Sequence, residues 1–116
     1  MGKIGDGAKK KDLPSAARMV EQVVGCKWSV ALLAAVRRGI HRPGALEREL
    51  AGISTKVLNE RLRKLVRFGI LSRTEYPEIP PRVEYHLTPF GARFAGLLDE
   101  VERLEAILER ERRRAP

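Results

Sequence analysis

The stretch Ser54 to Phe68 carries the residues best suited to chemistry: Lys56, Asn59, Glu60, Arg63, Lys64 and Arg67. Lys56, Glu60, Arg63 and Arg67 recur at helical spacing opposite Leu58, Leu62 and Leu65, with Asn59 and Lys64 at the flanks. A rod with such a face can neutralise phosphates and offer paired donors and acceptors to base edges in a DNA major groove. Thr55, Lys56, Asn59, Glu60 and Arg63 are the candidate base contacts. Arg63 on guanine and Asn59 on adenine are the favoured pairings, each worth roughly 1–3 kcal/mol of discrimination. Ser54 and the backbone amides at the helix start suit a phosphate. Lys64, Arg67 and Arg73 are expected on the backbone, and Arg82 in a minor groove, where a narrow groove concentrates negative potential. A merely solvated amphipathic helix shows the same pattern, so the surrounding elements must decide.

Other chemistries find little support. His41 and His86 lie far apart in the sequence, and no Ser/His/Asp or metal-ligand pattern accompanies them. Cys26 is the only cysteine, which excludes an intrachain disulfide and a multi-cysteine metal site. No enzymatic activity, metal or cofactor is expected. Among 116 residues the formal net charge is +8, a balance that favours nucleic acid or an anionic membrane surface. No apolar run approaches the roughly 20 residues needed to span a bilayer, and no signal-peptide pattern is present. A cytoplasmic protein without a membrane partner is expected.

The elements that must position the cationic face follow from punctuation and period. Residues 1–12, rich in Gly and Lys, predict a disordered basic arm, and residues 13–116 the folded domain. Ser15 opens a first helix to about Val24, with Met19, Val20, Val23 and Val24 on its apolar side. Lys27 to Arg38 forms a second, on which Trp28, Leu32 and Val36 make a core stripe with Trp28 as its anchor. Pro43 starts a short third helix to about Leu50. Ser54 caps the fourth, and Gly69 ends it. Two short helices joined by a Gly-containing turn make a helix-turn-helix pattern. The period then changes to two: Ile70 to Tyr76 and Arg82 to Leu87 read as strands around a stiff loop with three prolines. Thr88-Pro89 starts a last helix to about Arg112, on which Phe90, Phe94, Leu97, Val101, Leu104 and Leu108 are spaced 4, 3, 4, 3, 4. So small a domain can cover only part of that seam, so a twofold copy is expected on the rest. The fold class is mainly α with a small β-hairpin: a winged helix-turn-helix, its wing at about residues 70–87 and its long C-terminal dimerisation helix at about 89–112.

These residues closely resemble the HxlR family of bacterial winged-helix transcriptional regulators, near the MarR type. The likeness runs from about Ser15 to Leu108. It is carried by Gly25-Cys-Lys-Trp28, Leu46-Glu-Arg-Glu-Leu50 with Gly52-Ile-Ser54, Leu58-x-x-Arg-Leu-Arg-Lys-Leu65, Gly69-Ile-Leu-Ser-Arg73, and Tyr76-Pro-x-x-Pro-Pro-Arg-Val-Glu-Tyr-His-Leu-Thr-Pro-x-Gly91. The last is the most diagnostic. The resemblance implies a homodimer on a palindromic or repeated operator in double-stranded DNA, joined through the terminal helices. An unidentified small-molecule effector is expected between the DNA-binding body and the dimer helix. The sequence departs from the family in two places. The position at which some members carry a sensing cysteine falls at about Ser15, and Cys26 replaces a family glycine; as a small apolar filler Cys26 needs no redox role. Pro43 stands near a common family Phe. The alternative is a winged-helix module that binds protein or RNA.

Overall fold

The computed structural model describes Lys3–Ile4 and residues 12–115. Five helices and three strands follow one another as β1 (Lys3–Ile4), α1 (Ala16–Val24), α2 (Lys27–Arg37), α3 (Pro43–Glu49), α4 (Thr55–Arg67), β2 (Leu71–Tyr76), β3 (Arg82–Leu87) and α5 (Pro89–Arg114). The expected helices and hairpin all form, with boundaries shifted by a residue or two. Lys3–Ile4, expected in a disordered arm, instead adds an antiparallel edge to β2, so the sheet order is β1-β2-β3. The other residues of that arm before Asp12 lie outside the described residues.

Hydroxyls set the starts of α1, α4 and α5. The side chains of Ser15, Ser54 and Thr88 accept from the backbone amides of Arg18, Val57 and Gly91. Gly69 ends α4 with a φ of 75°, a conformation open to glycine and strained for other residues. The chain thereby turns straight into β2. Antiparallel pairing then runs from Leu71 opposite Leu87 to Tyr76 opposite Arg82.

The core sits where α2, α3 and α4 meet the base of the hairpin. Leu32, Leu33, Leu46, Leu58, Leu62, Leu65, Ile70 and Leu71 are fully buried there. Trp28, expected to anchor this core, is only half-buried at its edge, with the Lys27 ammonium 5.1 Å from its ring centre. Burying the whole indole would strand its N–H, so an edge position costs less.

Two joints fix α5 to this body. Thr88 donates its hydroxyl to the Gly69 carbonyl, and the Thr88 amide donates to the Ile70 carbonyl. Gly91 lies so close to that carbonyl that a Cβ would come within 1.9 Å of its oxygen, which explains a glycine within the first turn of a helix. Further along, Arg37 grips Asp99 with two hydrogen bonds of 2.7 and 3.0 Å. Arg37 raises no barrier to ionising that carboxyl; it holds the Asp99 pKa below its usual value. Beyond this clasp, from Glu102 to Ala115, every residue is exposed.

Candidate nucleic-acid interface

The cationic face is built on α4 as the periodicity requires. Leu58, Leu62 and Leu65 are each 1% exposed, which leaves the opposite side outward. Lys56, Asn59, Glu60, Arg63 and Arg67 are exposed, and Lys64 is half-buried with its ammonium 5.8 Å from the Phe68 ring centre. None of these six side chains enters an ion pair among the described residues. Arg37, Arg38, Arg73, Arg82 and Arg103 all do. A cation without a carboxylate is available to an external anion at little cost.

At the start of α4, Ser54 spends its side-chain oxygen on the Val57 amide, 3.1 Å away. Thr55 donates its hydroxyl to Glu47 of α3 at 2.9 Å. That bond spans the helix-turn-helix corner and ties Thr55 to the scaffold. Glu47 was not among the expected site residues, because the partnership depends on how the turn folds back rather than on helical spacing.

The wing departs from expectation. Arg73 pairs with Glu75 at 2.7 Å, and this bond holds the guanidinium pKa above its usual value. Arg82, expected to reach into a minor groove, pairs with Glu78 at 2.8 Å and Glu84 at 3.0 Å and packs its guanidinium 4.0 Å from the Tyr76 ring centre. Its side chain is only 29% exposed. Two carboxylates and an aromatic face reward the folded-back position more than solvent does. Arg82 therefore braces the hairpin rather than extending from it.

The histidines that sequence keeps apart are brought together. Their rings stack with centroids 3.8 Å apart. His41 donates Nδ1–H to the Tyr85 carbonyl at 2.9 Å, and its own carbonyl accepts from the Tyr85 amide at 2.8 Å. His86 donates to Glu84 at 2.9 Å, and this bond holds the Glu84 carboxyl below the usual range. The pair fastens the loop between α2 and α3 to the wing. Cys26 is half-buried at the start of α2. Burial pushes its thiol up, and bonding to Ser29 with the nearby charge of Arg61 brings it below the ordinary value.

The expected dimer seam splits into two. Phe90, Leu97, Leu104 and Leu108 are 43–52% exposed, and Ile107 joins them at 45%. Val101 is half-buried. Phe94 is corrected: at 5% exposed it packs into the chain's own core, as does Leu98. The first three turns of α5 lie on the body, so the inward side of the stripe is already occupied there.

A helix-turn-helix flanked by a hairpin wing, with a capped cationic helix facing out, defines a winged helix-turn-helix protein. The chain belongs to the HxlR-like helix-turn-helix family, whose model matches residues 23–111. It is 41% identical over 90 residues to YtfH of Escherichia coli (strain K12), an uncharacterised HTH-type transcriptional regulator, covering 74% of this chain and 71% of that one. It is 33% identical over 91 residues to YtcD of Bacillus subtilis (strain 168), described in the same words, covering 78% and 72%. Among solved structures, a chain from Enterococcus faecalis V583 assigned to MarR-family transcriptional regulators superposes with a TM-score of 0.77 at 30% identity, covering 95% of this chain and all of that one. No single described helix is long and apolar enough to cross a membrane.

Proposed function

We propose that this chain is a DNA-binding transcriptional regulator that acts as a homodimer on a palindromic or repeated operator. The relatives support the regulatory role. The observation that carries the binding mode is the outward face of α4, whose Lys56, Arg63, Lys64 and Arg67 enter no ion pair among the described residues, whereas Arg73 and Arg82 of the wing are both ion-paired. In this reading α4 lies in the major groove. Asn59 and Arg63 read bases, helped by Lys56 and Glu60, while Lys64 and Arg67 hold phosphates. Thr55, tied to Glu47, orients the helix start and contributes less to base reading.

The second subunit covers the exposed side of α5. A helical arm exposed at every residue from Glu102 to Ala115 is marginal in water, and an apolar stripe along it calls for a partner. An effector would act in the groove between α2 and α5, which is lined by Val30, Ala31, Ala34, Leu98 and Val101 and holds about 360 Å³. A ligand there changes the angle of the dimer helix, and with it the spacing of the two reading heads. The protein works by binding, without catalysis, in the cytoplasm.

Selection of genomic fragments by the purified chain tests this function. The expected result is a recurring palindromic or repeated motif, whose affinity falls steeply with salt as counterions are released from phosphates. Recovery of no duplex motif, or an affinity flat between low and moderate salt, overturns it in favour of a module that binds protein or RNA.

A further inference from the structure

The bond across the helix-turn-helix corner sets one acidic group at the head of the cationic helix. Thr55 is the first residue of α4 and is exposed, and its hydroxyl donates to Oε2 of Glu47 on α3 at 2.9 Å. A carboxylate can only accept, so the direction of that bond is fixed. It occupies one carboxylate oxygen. The other, Oε1, meets no donor among the described residues, and Glu47 enters no ion pair among them either. Glu49, Glu75, Glu78, Glu84 and Glu100 all do. Two cations stand next to this pair in the chain, Arg48 and Lys56, and both are exposed and leave the carboxylate unneutralised. Such a charge is unfavourable on a face that meets phosphates, because it repels the backbone of every duplex. The partial positive charge at the start of α4 offsets part of that repulsion and no more.

We propose that Glu47 is a specificity-determining residue: with Oε2 held by Thr55, Oε1 accepts from the N4 amino group of a cytosine where α4 enters the major groove. Thr55 is the positioning residue that aims it. The N-terminal residues of a recognition helix are the ones that meet base edges, and the Glu47–Thr55 bond lies at that end. The hydroxyl hydrogen of Thr55 is directed at Glu47, so neither member of the pair has a hydrogen left to donate. A head that offers only lone pairs suits one base edge above the rest. Cytosine presents an amino donor with no acceptor beside it, adenine sets its N6 donor next to the N7 acceptor, and guanine and thymine present acceptors. The carboxylate is therefore satisfied by cytosine and repelled by guanine O6 and thymine O4. A charge that opposes every sequence but one discriminates by weakening the wrong complexes.

The role of Glu47 rests on the DNA-binding function proposed above, and the experiment keeps the two apart. The probe is a duplex selected from a random library by the parent chain, together with its single-base-pair variants. The parent is expected to require a C·G pair at one position of the motif and to bind T·A there roughly tenfold more weakly. E47Q keeps an oxygen for the Thr55 hydroxyl and adds an amide donor. It is expected to hold the corner, to melt with the parent, and to lose the preference for cytosine over thymine at that pair alone. E47A is expected to lose the same preference and to bind scrambled duplexes several-fold more tightly than the parent, because an anion has left the DNA-facing surface. T55V is expected to weaken the preference without replacing it, since the carboxylate is present but no longer aimed. A parent that selects no duplex overturns both proposals. A parent that binds its operator while E47Q and E47A keep its preference at every base pair overturns the assignment of Glu47 alone and leaves it a brace of the corner. Relaxation in E47Q at a pair where the parent requires a base other than cytosine overturns it as well.

Discussion

At the scale of single residues, the division is between cations that are spent and cations that are free. Arg82 and Arg73 look equivalent to Arg63 and Arg67 in a list of basic residues, yet the first two are ion-paired within the wing and the second two are not. The distinction predicts different losses. R63A is expected to cost roughly 1–3 kcal/mol on the best operator and to relax discrimination at one base position. R67A is expected to weaken all duplexes alike and to reduce the salt slope by about one. Titrations of selected and scrambled duplexes at several salt concentrations separate the two. If R67A changed base preference and R63A did not, the assigned roles would be exchanged.

At the scale of elements, the Arg37–Asp99 clasp is what sets α5 against α2. The two residues lie 62 positions apart and join the DNA-binding body to the helix that carries the dimer seam. Arg37 keeps the folded Asp99 pKa below its unfolded value, so the unfolded chain binds the Asp99 proton more readily. Stability from this contact is fully present above the unfolded carboxylate pKa and is lost as pH falls through the folded one. D99N should therefore melt lower than the parent near neutral pH, with the gap closing in acid as the parent's own carboxylate is protonated. Thermal melts from neutral to strongly acidic buffer check this. A gap that held constant into acid would show that the charge contributes nothing.

At the scale of the whole molecule, shape and exposure point the same way. The structure extends 60 Å along its longest axis and only 23 Å along its shortest, because the far half of α5 leaves the body. Leu104, Ile107 and Leu108 stand on that arm, 45–52% exposed. The paired substitution L104E and L108E should give a folded monomer, since neither residue belongs to the chain's own core. Sedimentation should report half the parent's mass. Operator affinity should fall by at least about a hundredfold, because the second half-site then binds at bulk rather than tethered concentration. A variant that still sediments with the parent would place the dimer contact elsewhere.

What the sequence determined by itself was whatever local pattern encodes. The period of 3.6 on α4, the change to period two after Gly69, and the caps at Ser15, Ser54 and Thr88 made the element order legible, and the run from Tyr76 to Gly91 made the family legible. Pattern also located the cationic face, because a face depends only on spacing within one helix. Only the tertiary structure decided which groups are partnered, since partners come from distant parts of the chain. It turned Arg82 inward onto Tyr76, Glu78 and Glu84, stacked His41 on His86, tied Thr55 to Glu47, and drew Phe94 out of the seam into the core. Whether a charge is free to meet a phosphate depends on the distance to the nearest opposite charge, and that distance comes into being only when the chain folds.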